Sequence, residues 1–285
     1  MKFAITLLIV ALTAVTAFGQ NAPTLRIVTE DPNLPSDLFY GDIKVKPLRM
    51  RPGTNQRITI DDSDFFIQQH YIDFLGRMPE PGGFQAWMDI LNNCAQGSAA
   101  CDRIEVSSAF FRSDEFQGRR YFAYRLYSTA FARIPLYAEF IPDARRVSGF
   151  QDAAQLEASK VQLINDFMAR PEFRNKYDAI TDPTAYVNTL VNTAGVTVSN
   201  KQTLINELTA GTKTRAQVLR AISESGEVYQ KYYNEAFVIM QYHGYLRRDA
   251  DISYLQWIQT MNNNGGDYRV MINGFVNSLE YRNRF

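Results

Sequence analysis

Four segments of this chain end in the same way at a nearly constant spacing, and that recurrence limits the fold more than any other feature. They read Phe110-Phe111-Arg112-Ser113-Asp114-Glu115-Phe116, Phe167-Met168-Ala169-Arg170-Pro171-Glu172-Phe173, Ile222-Ser223-Glu224-Ser225-Gly226-Glu227-Val228 and Phe275-Val276-Asn277-Ser278-Leu279-Glu280-Tyr281. The four glutamates stand 57, 55 and 53 residues apart. Nine residues before each are Val106, Leu163, Val218 and Met271, and five before are Phe110, Phe167, Ile222 and Phe275. An apolar i, i+4 pair with a third contact beyond it marks one face of a helix. A short helical unit repeated at this period cannot bury that face alone, so its copies must pack on one another.

The front of the unit recurs as well. Phe66, Phe122 and Phe237 are each followed five residues later by Tyr71, Tyr127 and Tyr242. Leu75, Phe131 and Leu246 come next, then Arg77, Arg133 and Arg248. The third copy keeps only Tyr186 and Val191 and reads Gly195 and Thr197 at the leucine and arginine places. Between front and back the prolines and glycines of Met78 to Gly83 end one helix, and Phe84, Trp87, Ile90 and Leu91 begin another. The fourth copy enters its middle helix at Asp249-Ala250-Asp251 and continues with Tyr254, Trp257, Ile258 and Met261. The expected fold class is all-α, with about three short helices per unit. The units span 61–120, 121–182, 183–233 (degenerate) and 234–285.

The residues before the repeat differ. Residues 20–60 are proline-rich, with short alternating runs at Leu25 to Val28 and Arg57 to Ile60. They predict an extended arm with one or two short strands, ending on Asp61, Asp62 or Ser63 as a helix cap. Residues 1–19 pair Lys2 with an apolar run from Phe3 to Val15 and small residues at Ala17 and Gly19, the form of a cleaved secretory signal. Beyond Gln20 no stretch is long and apolar enough to span a bilayer. The expected setting is therefore secreted, at the cell surface or periplasmic. With the signal removed, 29 basic and 30 acidic side chains remain, which gives no electrostatic reason to expect nucleic acid as partner. An oxidising compartment favours a disulfide between the only two cysteines, Cys94 and Cys101.

The stretch from Phe65 to Trp87, with Phe74-Leu75-Gly76-Arg77-Met78-Pro79-Glu80-Pro81-Gly82-Gly83, resembles the bacterial "domain of unknown function 4214" family, itself similar to the phycobilisome linker domain. Phe237 to Tyr281 looks like a second match. The resemblance implies a small helical fold in an extracellular or surface setting. It carries no established activity and no catalytic residues.

No catalytic constellation stands out. A glycosidase needs two carboxyl groups in unlike environments at one bond, whereas the glutamates recur in every copy and have Arg77, Arg133 and Arg248 as partners. There is no Gly-x-Ser-x-Gly elbow, and His70 and His243 sit within aromatic helical patterns. Metal and cofactor sites are not expected. Asp249, Asp251 and the Asn262-to-Asp267 run lack the spacing of a calcium loop and are better read as a helix cap and a turn. The expected function is a non-enzymatic module for an unknown protein or cell-surface glycan. The alternative is an exported carbohydrate or cell-wall hydrolase using one repeat glutamate. Tyr71, Arg77, Trp87, Tyr242, Arg248 and Trp257 are the candidate binding-face residues, because only the first and fourth copies keep the whole set. For the two tryptophans, helical spacing favours burial over exposure.

Overall fold

The computed structural model describes residue 51 and residues 53–285 in full, and residues 25–28, 37–40 and 43–44 by their backbone. The signal expected at 1–19 lies outside the described residues. The arm holds three short strands rather than one or two: β1 (Leu25–Val28), β2 (Asp37–Tyr40) and β3 (Ile43–Lys44). They form an antiparallel sheet in the order β1-β2-β3, with Tyr40 opposite both Leu25 and Ile43. Arg57 to Ile60 is not a strand. There the Asp62 carboxylate accepts the Thr59 backbone N–H at 2.7 Å and closes a turn into the first helix.

The body is helical. The first unit comprises α1 (Ser63–His70), which runs on through a π-helical turn at Tyr71–Leu75, then α2 (Pro81–Asn92), α3 (Arg103–Arg112) and α4 (Asp114–Gly118). The second holds α5 (Arg120–Phe131), α6 (Tyr137–Arg146), α7 (Ala153–Met168) and α8 (Pro171–Tyr177). The third holds α9 (Pro183–Ala194), α10 (Lys201–Thr209) and α11 (Arg215–Ser223). Next, α12 (Gly226–Gln241) crosses 233/234 without a break, closing the third unit and opening the fourth before a second π-turn at Tyr242–Leu246. The fourth continues with α13 (Tyr254–Asn263), α14 (Arg269–Val276) and α15 (Leu279–Arg282).

Each unit therefore ends on a fourth helix that periodicity alone does not reveal, because α4 and α15 are about one turn long. Their start is written in Ser-x-Glu. Ser113, Ser225 and Ser278 are N-caps whose hydroxyls accept the N–H groups of Phe116 (3.2 Å), Val228 (3.3 Å) and Tyr281 (3.1 Å). The second unit has Arg170 there and sets the helix with Pro171 at its first position instead. The glutamate that follows lies in the first turn, where the helix dipole favours negative charge.

The front helices end alike, on a left-handed residue: Gly76 (φ 69°), Ala132 (φ 54°), Gly195 (φ 60°) and Arg247 (φ 51°). The next residue is Arg77, Arg133, Val196 or Arg248. The third copy is thus in register one residue earlier than its sequence suggests, with Val196 rather than Thr197 at the arginine place.

Helix α5 is the centre of the body. All its residues except Phe131 are buried, and it touches α4, α6, α9, α11 and α12. A helix buried on every side needs cover on every side, and here α4 of the first unit, α6 of its own and α9, α11 and α12 of the later ones supply it. The first unit closes on the fourth: α3 packs on α14, and the two π-turns meet. A Cβ on Gly244 would lie 2.8 Å from the Phe74 ring, so glycine permits that approach. One continuous apolar cluster, from Ile60 to Tyr281, runs through all four units. Cys94 and Cys101 stand at disulfide distance, with Cα atoms 5.5 Å apart. Their loop is held to α14 by Arg269, which donates to the Ala99 carbonyl at 2.9 Å and pairs with Asp102. No helix among the described residues is long and apolar enough to cross a membrane.

Candidate functional site

Three units build the same side-chain cluster behind the left-handed turn. The guanidinium of Arg77 grips Glu115 through Nε (2.7 Å) and Nη2 (2.6 Å) and also pairs with Glu80. Arg133 holds Glu172 at 2.9 and 2.7 Å and Glu139 at 2.8 Å. Arg248 holds Glu280 at 2.6 and 3.0 Å and Asp251 at 3.2 Å. Each arginine lies over a tyrosine of its own unit: Tyr71 at 4.9 Å, Tyr127 at 5.4 Å and Tyr242 at 5.4 Å. The third unit, without the arginine, satisfies Glu227 with the Ser199 backbone N–H at 2.9 Å. The four glutamates therefore bind the front of a unit to its back. Arg248 holds the Glu280 carboxyl below the ordinary carboxylate range, and backbone N–H groups do the same for Glu227. A general acid needs the opposite shift.

The clusters differ in what stands over them. In the first unit Trp87 stacks on Phe110, 5.3 Å between centroids. The other side of Arg77 is covered by Phe150 at 4.6 Å, and both Tyr71 and Arg77 are buried. In the second unit Asp143 takes the tryptophan's place, accepts the Tyr127 hydroxyl at 2.7 Å and pairs with Arg170. The space there is filled by an ion pair.

In the fourth unit the space is open. A cavity of about 440 Å3 is floored by Tyr242, Leu246 and Phe275. Its sides are Trp257, Arg248 and Asp251, with the polar groups of Ser253, Gln256 and Thr260 along α13. Trp257 is half-buried. Burial, with Asp251 beside it, pushes the Tyr242 phenol up to about 12, so it stays protonated. Of the six candidate residues, the structure brings Tyr242, Arg248 and Trp257 together around this cavity and leaves Tyr71, Arg77 and Trp87 packed. The helical spacing that favours burial for both tryptophans is answered by partial exposure of each. At the far end of α13 lies a second cavity, of about 430 Å3, beside Tyr233 and Tyr268. Its Asn234 is already bonded to Asn262 at 2.7 Å.

The other candidate groups have partners in the protein. Asp249 accepts the Tyr137 backbone N–H at 2.5 Å. Asp251 accepts from Ser253 N–H (3.0 Å) and the Tyr242 hydroxyl (3.2 Å) and pairs with Arg248. It closes the turn before α13, whose N-cap is Ser253, so it is not itself the helix cap. His70 is buried, with Nδ1 donating to the Phe66 carbonyl at 2.8 Å and Nε2 3.1 Å from both Ser107 Oγ and Tyr245 OH. Ser107 and Tyr245 also bond each other, which makes a polar knot between the first and fourth units. His243 is buried against the rings of Tyr137 and Phe140.

A second recurring pair escaped the sequence reading. The fourth residue after each of three glutamates is Lys176, Lys231 or Arg284, and each donates to the end of its unit's front helix. The acceptors are the carbonyls of Ala130 (3.0 Å), Ala194 (2.9 Å) and Tyr245 (2.6 Å). Tyr177 and Tyr232, one residue further on, donate to the same two alanine carbonyls. The basic-aromatic dipeptide at a fixed offset was the available signal.

No curated protein and no solved structure matches the chain. Residues 55–120 match the family model described as "Domain of unknown function (DUF4214)", a span that covers the first helical unit. The first helical unit of this chain is a domain of that family.

Proposed function

We propose that this chain is a non-enzymatic binding module, exported to the bacterial surface or beyond it, which takes its ligand in the open cavity of the fourth unit. The observation that carries this reading is the convergence of Tyr242, Arg248 and Trp257 on a cavity of about 440 Å3, where the sibling clusters have the Phe150 ring over the arginine or the Asp143–Arg170 pair. That volume falls within the roughly 300–1,000 Å3 of small-ligand sites. Against catalysis, each glutamate is engaged in tying a unit together, and the one without arginine, Glu227, is exposed on a backbone N–H group. The hydrolase reading needs a glutamate in a deep pocket away from arginine, and none of the four is so placed.

A glycan-array and pull-down screen of the full protein should show selective retention without product release. The single variants Glu115→Gln, Glu172→Gln and Glu227→Gln should leave that profile unchanged. Glu280→Gln should cost no more than about 1 kcal/mol of stability, since exposed ion pairs contribute about 0–1 kcal/mol. Glycan cleavage abolished by one of these substitutions would establish a hydrolase instead.

A further inference from the structure

The fourth unit's cavity differs from its sibling in the first unit in one consistent way. Aligned on the tryptophans, Ser253, Gln256 and Thr260 replace Gly83, Ala86 and Ile90. With Trp257 they lie at spacings of three and four, which is one face of α13. All three line the cavity. At the first of these positions the first unit has no room for a side chain: a Cβ on Gly83 would lie 2.2 Å from the Glu80 carboxylate and 2.4 Å from the Tyr71 hydroxyl. Hydroxyl and amide groups have thus been added to the wall in the unit whose cavity is open.

The charges, in contrast, are already committed. Arg248 spends Nε and Nη2 on Glu280, Nη2 also on Asp251, and Nη1 on the Asp249 carbonyl at 3.0 Å. One cation against two carboxylates leaves the cluster with a net negative charge. An anionic ligand would meet repulsion and would have to displace a bidentate pair. What remains on offer is an aromatic face, the Thr260 oxygen, whose proton goes to the Gln256 carbonyl at 2.9 Å, and the Gln256 amide. A sugar ring matches this set, because its C–H face carries partial positive charge toward an aromatic π-cloud and its hydroxyls both donate and accept.

Resting on the binding-module reading, we infer that the fourth-unit cavity recognises a neutral hexose glycan and discriminates against acidic sugars. The test is calorimetric titration of the full protein with neutral gluco-, manno- and galacto-oligosaccharides, compared with oligogalacturonate and sialyllactose. At least one neutral series should bind, and the acidic ones at least tenfold more weakly. The variant S253G/Q256A/T260I gives the wall the first unit's residues at half-buried or exposed positions. It should lose at least tenfold in affinity with its melting temperature unchanged. Unaltered affinity in that variant, or preference for the acidic sugars, would overturn the inference. Binding of a polypeptide but no sugar, lost in Trp257→Ala, would overturn the sugar class and leave the binding-module reading in place. The failure of every ligand at this cavity would overturn both.

Discussion

Replacing Asp73 by alanine should destabilise the protein by about 3–5 kcal/mol, the cost of removing one partner from a buried ion pair. The Asp73 side chain is 2 % exposed and lies between Arg247 (3.2 Å) and Arg284 (2.9 and 3.1 Å). Burial alone would raise its pKa, but the two guanidinium groups hold it below the ordinary carboxylate range. Its partners come from the far end of the repeat, so this carboxylate closes the first unit onto the fourth. Arg284 also donates to the Gly244 and Tyr245 carbonyls and would keep those bonds in the variant. Chemical unfolding measures the loss, and for a chain of this size it corresponds to a fall in melting temperature of roughly 6–20 °C. Arg146→Ala, which breaks an exposed pair with Asp166, is the control and should cost about 0–1 kcal/mol. Equal effects for the two substitutions would mean that Asp73 does not fasten the ends together.

The second large effect is acid lability from the two histidines. Burial drives the His70 pKa from 6.5 down to about 4, although the Phe66 carbonyl and Asp73 oppose the shift. Burial, with Arg120 nearby, drives His243 down to about 3. Above pH 6.5 both are neutral whether the chain is folded or not, and they contribute nothing to the pH dependence. Below 6.5 the unfolded chain takes up protons that the folded one refuses, so stability falls until the folded values are reached. At pH 4.5, two units below the unfolded value, the two histidines together cost about 5 kcal/mol at 1.36 kcal/mol per unit each. That is comparable to the whole stability of many domains, about 5–15 kcal/mol. Neither ring nitrogen of His243 has a hydrogen-bond partner among the described residues. His243→Leu should therefore be neutral or stabilising at pH 7.5 and about 2–3 kcal/mol more stable than the parent at pH 4.5. Urea unfolding at the two pH values checks this, and an unchanged pH dependence would contradict it.

Asp73 and His70 lie at the seam between the first and fourth units, and His243 where the fourth meets the second, and periodicity shows neither contact. The i, i+4 spacing of Val106 and Phe110, or of Met271 and Phe275, identifies a buried face but says nothing about which face covers it. Asp73 illustrates the limit: Arg77 stands four residues on, where a helical pair would be read, yet the arginines that hold the carboxylate are 174 and 211 residues distant. The Arg–Glu pairs were legible because an arginine at the end of the front helix and a glutamate at the back return together in three copies. The degenerate third copy was legible as degenerate, yet its register was not, because the left-handed Gly195 marks the turn and side-chain identity did not. At the candidate site, Tyr242, Arg248 and Trp257 were legible as a set. The signal that separates them from Tyr71, Arg77 and Trp87 is the exchange of Gly83, Ala86 and Ile90 for Ser253, Gln256 and Thr260, whereas the Phe150 ring over Arg77 comes from the second unit and follows from no spacing within the first.

That difference between matched tryptophans is also the most direct point of attack. Trp87→Phe and Trp257→Phe each leave one indole in the chain, because the sequence holds two. Titrating both single-tryptophan proteins with the best-binding oligosaccharide and following fluorescence asks which unit meets the ligand. The Trp87→Phe protein, reporting from Trp257 beside the open cavity, should change its emission on binding, while the Trp257→Phe protein stays silent. A response from Trp87, or retained binding with no response from Trp257, would contradict a ligand site confined to the fourth unit.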